Sequence, residues 1–196
     1  MTMAVMPGQR ASSAWYRRLL ESYYASRAER YDQNVIAAEG EHYGNALQAG
    51  LNKLQTRPER ILDVHTGTGF AALMLKRAYP QAKVVGTDLS EAMLKKAREK
   101  ALIEEVDVEF IQADGAQLPF GANEFDLVTI QNAPPHSPEI LRVLKPGGLL
   151  LIAFTSGALV PRFFQRKLQN QLKAILGAHP ILLEKCGDAL LILVQK

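Results

Sequence analysis

A chain of 196 residues, 47% of them hydrophobic and 22% charged, has the material for one globular core. Its net charge of +3 is too small to mark a nucleic-acid-binding surface, and its single cysteine, Cys186, excludes an internal disulfide and a cysteine-based metal site. No apolar run approaches the length of a membrane span, and Pro7, Gly8 and Gln9 interrupt the opening MTMAVMPGQR, so neither an integral membrane segment nor a signal peptide is expected and the cytoplasm is.

Residues 1–10 read as a loose tail. From Ser12 to Gln55 the pattern is helical and poor in strand. Ser12 or Ser13 can cap a first helix, which carries Trp15, Leu19 and Tyr23 on one face. Val35 to Leu54 reads as a second helix, weakened by Gly40 and Gly44 and broken by Thr56-Arg57-Pro58. From Arg60 strands and helices alternate. Ile61 to Val64 is a strand, Phe70 to Tyr79 a helix stopped by Pro80, and Lys83 to Gly86 a strand. Ser90 caps a helix to about Leu102, with Glu91 in its first turn and Lys95, Lys96 and Arg98 later, the charge order a helix dipole favours. Val106 to Ile111 and Phe125 to Ile130 are strands. Ser137-Pro138-Glu139 opens a helix that ends before Pro146-Gly147-Gly148. Leu149 to Phe154 is a buried strand, and Val160 to Leu176 is a long helix with apolar and basic residues that could touch anionic lipid. Ile181 to Glu184 and Ala189 to Val194 flank Cys186-Gly187-Asp188 in a hairpin, where Cys186 is a packing residue.

Such alternation implies a parallel α/β sheet covered on both faces, with one antiparallel strand added by the hairpin. Ligands bind outside the C-terminal ends of the strands in such sheets, so function is sought in those loops. The first strand ends in Asp63-Val64 and flows into His65-Thr66-Gly67-Thr68-Gly69. Gly67 and Gly69 permit a tight turn and close ligand approach, and the next helix aims its amides there. Asp88 stands about twenty residues beyond, where a carboxylate can accept both hydroxyls of a ribose. Asp88 could also serve as a helix cap. Asp114 ends the third strand, where it could accept from an exocyclic amine or simply form a turn with Gly115.

These segments resemble the class I S-adenosylmethionine-dependent methyltransferases, and among them the small-molecule enzymes of the ubiquinone and menaquinone type. ILDVHTGTG is similar to the family's first motif, VVGTDLSEAML to the second, and IQADGAQLPF to the third. FDLVTIQNA and RVLKPGGLLLI are similar to the fourth and fifth. The resemblance covers roughly residues 31 to 154. It implies a Rossmann-like sheet of seven strands, mostly parallel with one antiparallel, with helices on both faces. Residues 58–196 would form the cofactor-binding core and residues 11–57 a helical lid, within a single domain.

The resemblance also implies roles. Asp63 would hold the methionine end of the cofactor, Asp88 its ribose, and Leu89 would pack on the adenine, with Met93 counted in the same site. Asp114 would take the adenine amine, with the amide of Gly115 nearby. Gln131 and Asn132 would line the floor beside the transferable methyl. Tyr31, in the pair Tyr31-Asp32, would close over the cofactor; the residue pattern alone equally fits an aromatic packing the N-terminal helix on the sheet.

The family has glycine where His65 stands. Three arrangements are open: the ring turns aside and the cofactor binds normally, it donates a hydrogen bond to the cofactor's carboxylate, or it fills the site. His136, just after the fourth strand, is the candidate base for a phenolic or enolic acceptor, with Tyr23 or Tyr31 to orient that acceptor. His42, His65, His136 and His179 have no metal-ligand spacing, so no metal is expected. The reading is methyl transfer from S-adenosylmethionine to a small molecule, lipid- or quinone-like among the options, leaving S-adenosylhomocysteine. Two other readings stand beside it. One is a non-catalytic protein whose site His65 has closed. The other is a nicotinamide-dependent oxidoreductase, since Gly67-Thr68-Gly69-Phe70-Ala71-Ala72 also fits GxGxxA.

Overall fold

Ile61, Leu62, Asp63 and Val64 are all buried, the pattern of a strand covered on both faces. They belong to β1 (Arg60–Val64) in a computed structural model that describes residues 14–37, 40–133, 135, 137–155, 170 and 181–196. The other strands are β2 (Lys83–Asp88), β3 (Glu109–Gln112), β4 (Phe125–Gln131), β5 (Leu144–Phe154), β6 (Ile181–Cys186) and β7 (Ala189–Gln195). They form one seven-stranded sheet in the order β3-β2-β1-β4-β5-β7-β6. β1 to β5 run parallel, and β7 is antiparallel to both its neighbours. The strand order reverses between β1 and β4, which opens a crevice at their C-terminal ends.

Among the described residues the α-helices include α1 (Ala14–Ala25), α2 (Asn45–Leu51), α3 (Phe70–Ala78), α4 (Glu91–Ile103) and α5 (Ser137–Val143). Ser90 caps α4 as its sequence suggests, with its hydroxyl accepting from the Met93 amide. One apolar layer joins α2, α3 and α4 to the sheet through Leu47, Leu51, Leu75, Leu94, Leu127 and Leu151. The opposite layer is built from Leu62, Val85, Phe125, Ile140, Val143 and Ile192. Pleating sends Ile61 to the first layer and Leu62 to the second.

Three expectations change. The helix expected over Val35 to Leu54 is three pieces: a π turn at Asp32–Ile36, a 3-10 turn at Gly40–Gly44, and α2. Gly40 adopts a left-handed φ of 56°, and a Cβ on Gly44 would lie 3.2 Å from the Phe70 ring, so both glycines serve a bend rather than a helix. The third strand begins at Glu109, not Val106, because the Val106 amide still closes the end of α4 on Ala101 O at 2.9 Å. β5 begins at Leu144 and runs through Pro146-Gly147-Gly148, where Gly147 N donates to Lys196 O at 2.7 Å. His136 and the segment Val160 to Leu176, residue 170 apart, lie outside the described residues. Among the described residues no helix is long and apolar enough to cross a membrane.

Candidate functional site

The turn after β1 alternates left-handed residues: His65 (φ 60°), Gly67 (φ 54°) and Gly69 (φ 85°). It closes on itself through Gly69 N to Thr66 O at 2.9 Å and on β2 through Thr66 N to Thr87 O at 2.8 Å. The two glycines differ in purpose. A Cβ on Gly67 would meet nothing within 4 Å, whereas one on Gly69 would lie 2.9 Å from Ala97 Cβ. Gly67 therefore serves its backbone angle and leaves an open face, and Gly69 also lets the turn settle on α4. His65 pays for the same left-handed angle with a Cβ, at a cost of about 1–2 kcal/mol.

Asp88 clamps this turn. Its Oδ2 accepts from Gly67 N at 2.9 Å and its Oδ1 from Ser90 N at 2.9 Å. Burial pushes its pKa up, against those same amide donors. The two readings of Asp88 thus meet in one residue: it orders the start of α4 and also fixes the glycine turn.

Tyr31, Tyr43, Asp63, His65 and Gln131, with the backbone of Gly67, line a cleft that opens to solvent. Asp63 is 1% exposed, and its Oδ1 accepts from Thr129 Oγ1 at 2.7 Å. Its Oδ2 is buried, and so is Gln131 Oε1. Burial pushes the Asp63 pKa up to about 6, with the nearby hydroxyls of Thr66 and Thr129 opposing. The Thr66 hydroxyl and the Ala72 amide only partly offset the burial of Asp63, and an ammonium or other cation in the cleft would meet the carboxylate best.

The N-terminal segment supplies the aromatic wall. Burial raises the pKa of both Tyr31 and Tyr43, so each stays a neutral phenol. The Tyr43 ring meets Phe70 edge to face, with centroids 4.8 Å apart. The Tyr43 carbonyl accepts from Gln131 Nε2 at 2.6 Å and from Thr155 Oγ1 at 3.1 Å. Tyr31 is held by its neighbour Asp32, which accepts from Thr68 Oγ1 at 2.5 Å and pairs with Lys100 Nζ at 2.8 Å.

Beside the cleft, the ends of β2 and β3 form a second rim. Ala113 N donates to Asp88 O at 2.9 Å, so Leu89 and the Asp114-Gly115 turn sit side by side. Asp114 accepts from Ala116 N at 2.9 Å and pairs with Arg17 of α1 at 3.4 Å. The Asn132 side chain lies beside the Tyr43 phenol and ties the end of β4 to that of β5. It donates to Thr155 Oγ1 at 2.7 Å and accepts from Thr155 N at 2.8 Å. Met93 is a buried packing residue, 1% exposed. The structure thus gathers Tyr31, Asp63, His65, Gly67 and Gln131 around one cleft and sets Asp88, Leu89, Asp114 and Gly115 on its rim. Tyr43 was not singled out from sequence, because no periodicity marks a residue placed by a glycine bend.

The methyltransferase-domain family profile matches residues 61–148. A demethylmenaquinone methyltransferase of Deinococcus radiodurans is 35% identical over 164 residues, 76% of this chain and 68% of that protein. One from Thermus thermophilus is 45% identical over 106 residues, 50% of this chain and 48% of that protein. The ubiquinone/menaquinone biosynthesis C-methyltransferase of Pseudomonas putida is 36% identical over 157 residues, 70% of this chain and 61% of that protein. This chain therefore spans roughly half to two thirds of the relatives' length. The fold is shared with a SAM-dependent methyltransferase of Aquifex aeolicus (TM-score 0.62, 18% identity, 89% of this chain and 97% of that one). It is also shared with a protein of Pyrococcus horikoshii (TM-score 0.65, 22% identity, 94% of this chain and 99% of that one). With its strand order, its glycine turn and its relatives in agreement, the chain belongs to the class I S-adenosylmethionine-dependent methyltransferase family, on the branch that includes the ubiquinone and menaquinone enzymes.

Proposed function

We propose that this protein transfers a methyl group from S-adenosylmethionine to a small-molecule acceptor, and that the acceptor is quinone- or lipid-like. The carrying observation is the pair of buried acceptors, Asp63 Oδ2 and Gln131 Oε1, at the cleft under the glycine turn. They fit the ammonium of a methionine moiety. They do not fit the pyrophosphate that a nicotinamide cofactor would bring to the same turn, which would set anion against anion. S-adenosylmethionine supplies an activated methyl on a sulfonium whose sulfur leaves neutral.

The chain's own part is positioning and the exclusion of water. Asp63 holds the ammonium and Asp88 uses its remaining lone pairs for the ribose hydroxyls. Leu89 bears on the adenine side, with the buried Met93 contributing only to the packing of α4, and Asp114 with the Gly115 amide takes the adenine amine. Gly67 and Gly69 let the backbone approach, and His65 stands beside the methionine carboxylate. Tyr31, carried by a lid within residues 11–57, covers the cofactor. Gln131 and the backbone at Asn132 form the floor, and His136 takes the acceptor's proton. The relatives named for demethylmenaquinone methylation make a quinone the first acceptor to try. A cytoplasmic setting agrees with the single free cysteine.

Calorimetric titration with S-adenosylmethionine, S-adenosylhomocysteine and NADH tests this reading. Micromolar binding of both sulfur compounds, no binding of NADH, and loss of binding in Asp88→Ala are expected. If the natural protein binds neither sulfur compound and His65→Gly binds both, the site is closed by the histidine and the proposal of activity fails.

A further inference from the structure

Helix α1 has two unlike faces. Its inner side is engaged with the core: Arg17 pairs with Asp114, Glu21 accepts from Gln112 Nε2 at 3.1 Å, and Leu20 and Tyr24 are half-buried. Its outer side carries Trp15, Leu19 and Tyr23, one turn apart, and these are 71%, 50% and 39% exposed. An apolar stripe at this spacing normally faces a protein core; here it faces solvent.

Basic groups predominate around the stripe. Arg18 and Arg30 are exposed, and the Arg27 guanidinium lies over the Tyr23 ring, 3.7 Å from its centroid. The acids of residues 14–30 are occupied elsewhere, Glu21 by Gln112 and Glu29 by Lys96 at 2.8 Å. The exposed pair Leu102 and Ile103 at the end of α4 lacks this character, because the Arg77-paired Glu104 and the exposed Glu105 follow it directly.

From this we infer that α1 docks the protein on an anionic lipid surface. Trp15, Leu19 and Tyr23 would enter the headgroup boundary, and Arg18, Arg27 and Arg30 would meet the lipid phosphates. Arg17 and Glu21 tie the same helix to Asp114 and Gln112 at the C-terminal end of β3. Docking therefore turns the cleft-bearing end of the sheet toward the bilayer. This surface goes beyond the methyl-transfer reading and does not depend on it.

Trp15 is the only tryptophan, so its fluorescence reports on α1 alone. The full chain is mixed with vesicles of phosphatidylcholine, with or without phosphatidylglycerol. Phosphatidylglycerol vesicles should shift the emission to the blue, brominated acyl chains should quench it, and salt should reverse both. Leu19→Asp, and separately Arg18→Glu with Arg27→Glu, should weaken co-sedimentation about tenfold or more with an unchanged melting temperature. Absence of a shift, or equal binding to both vesicles, would overturn the inference. So would a concentration-dependent dimer that Leu19→Asp abolishes, since the stripe would then belong to a second copy.

Discussion

At position 65 a histidine holds a backbone angle that glycine adopts without strain. His65→Gly should therefore raise stability in urea by about 1 kcal/mol, after the greater entropy of the unfolded glycine is counted. A loss of stability instead would mean that the ring's packing outweighs the backbone strain. Asp63 makes a sharper test, because its pKa lies near 6 when folded and near 4 when unfolded. Below pH 4 both states are protonated and the group contributes nothing. Between these values the unfolded chain has lost a proton that the folded chain keeps, so stability falls as pH rises. Above pH 6 the whole cost is present, about 2–3 kcal/mol. Asp63→Asn should thus match the natural protein near pH 4 and exceed it at pH 7, with urea unfolding across that range as the measurement. The ligand effect runs the other way. S-adenosylhomocysteine affinity should strengthen as Asp63 ionises through pH 6, and the asparagine variant should show a weaker and flatter profile.

Between elements, the contact that matters most to the cleft joins the π turn, the glycine turn and α4 through Asp32, Thr68 and Lys100. Lys100 Nζ also donates to Thr68 Oγ1 at 3.0 Å, and Thr68 is 2% exposed, so the three groups form one network at the base of Tyr31. The Asp32 side chain is 42% exposed, which limits the pair to a modest energy. A double-mutant cycle on Asp32→Ala and Lys100→Ala should give a coupling of about 0.5–1 kcal/mol. Hydrogen exchange should quicken over residues 28–37 and stay slow in β1 and β4. Faster exchange in the strands would mean that the network supports the sheet rather than the segment bearing Tyr31. The sheet itself was legible from sequence, because continuous apolar runs, Ser90 and Pro138 are local signals and the strands obey them. The N-terminal segment was not, because Gly44 is explained by Phe70, a residue distant in sequence. At the site, the side chains at strand ends could be named in advance, but their employment could not. Asn132 spends its amide on Thr155, Asp114 is met by Arg17, and Tyr43 enters the cleft through a bend with no sequence period.

For the molecule as a whole, the question is whether residues 11–57 behave as an appendage to the sheet or as part of its core. α2 argues for the second, since Ala46, Leu47 and Leu51 share an apolar layer with Ile61, Leu127 and Leu191. The closest approach is at Gly50, where a Cβ would lie 2.4 Å from Leu151 Cδ1 and 2.9 Å from Leu191 Cδ1. Both leucines are fully buried and cannot withdraw without disturbing β5 and β7. Gly50→Ala gains about 1 kcal/mol of helix propensity and loses about 1–3 kcal/mol to overpacking, with the short distances placing it toward the upper end. A net loss of about 1–2 kcal/mol is expected, visible as one lowered melting transition that far-UV and near-UV circular dichroism report together. If the far-UV signal alone moved while the sheet melted at its original temperature, α2 would be an independent unit. Tyr31 and Tyr43 would then ride on a separable lid instead of being seated by the same core that shapes the glycine turn.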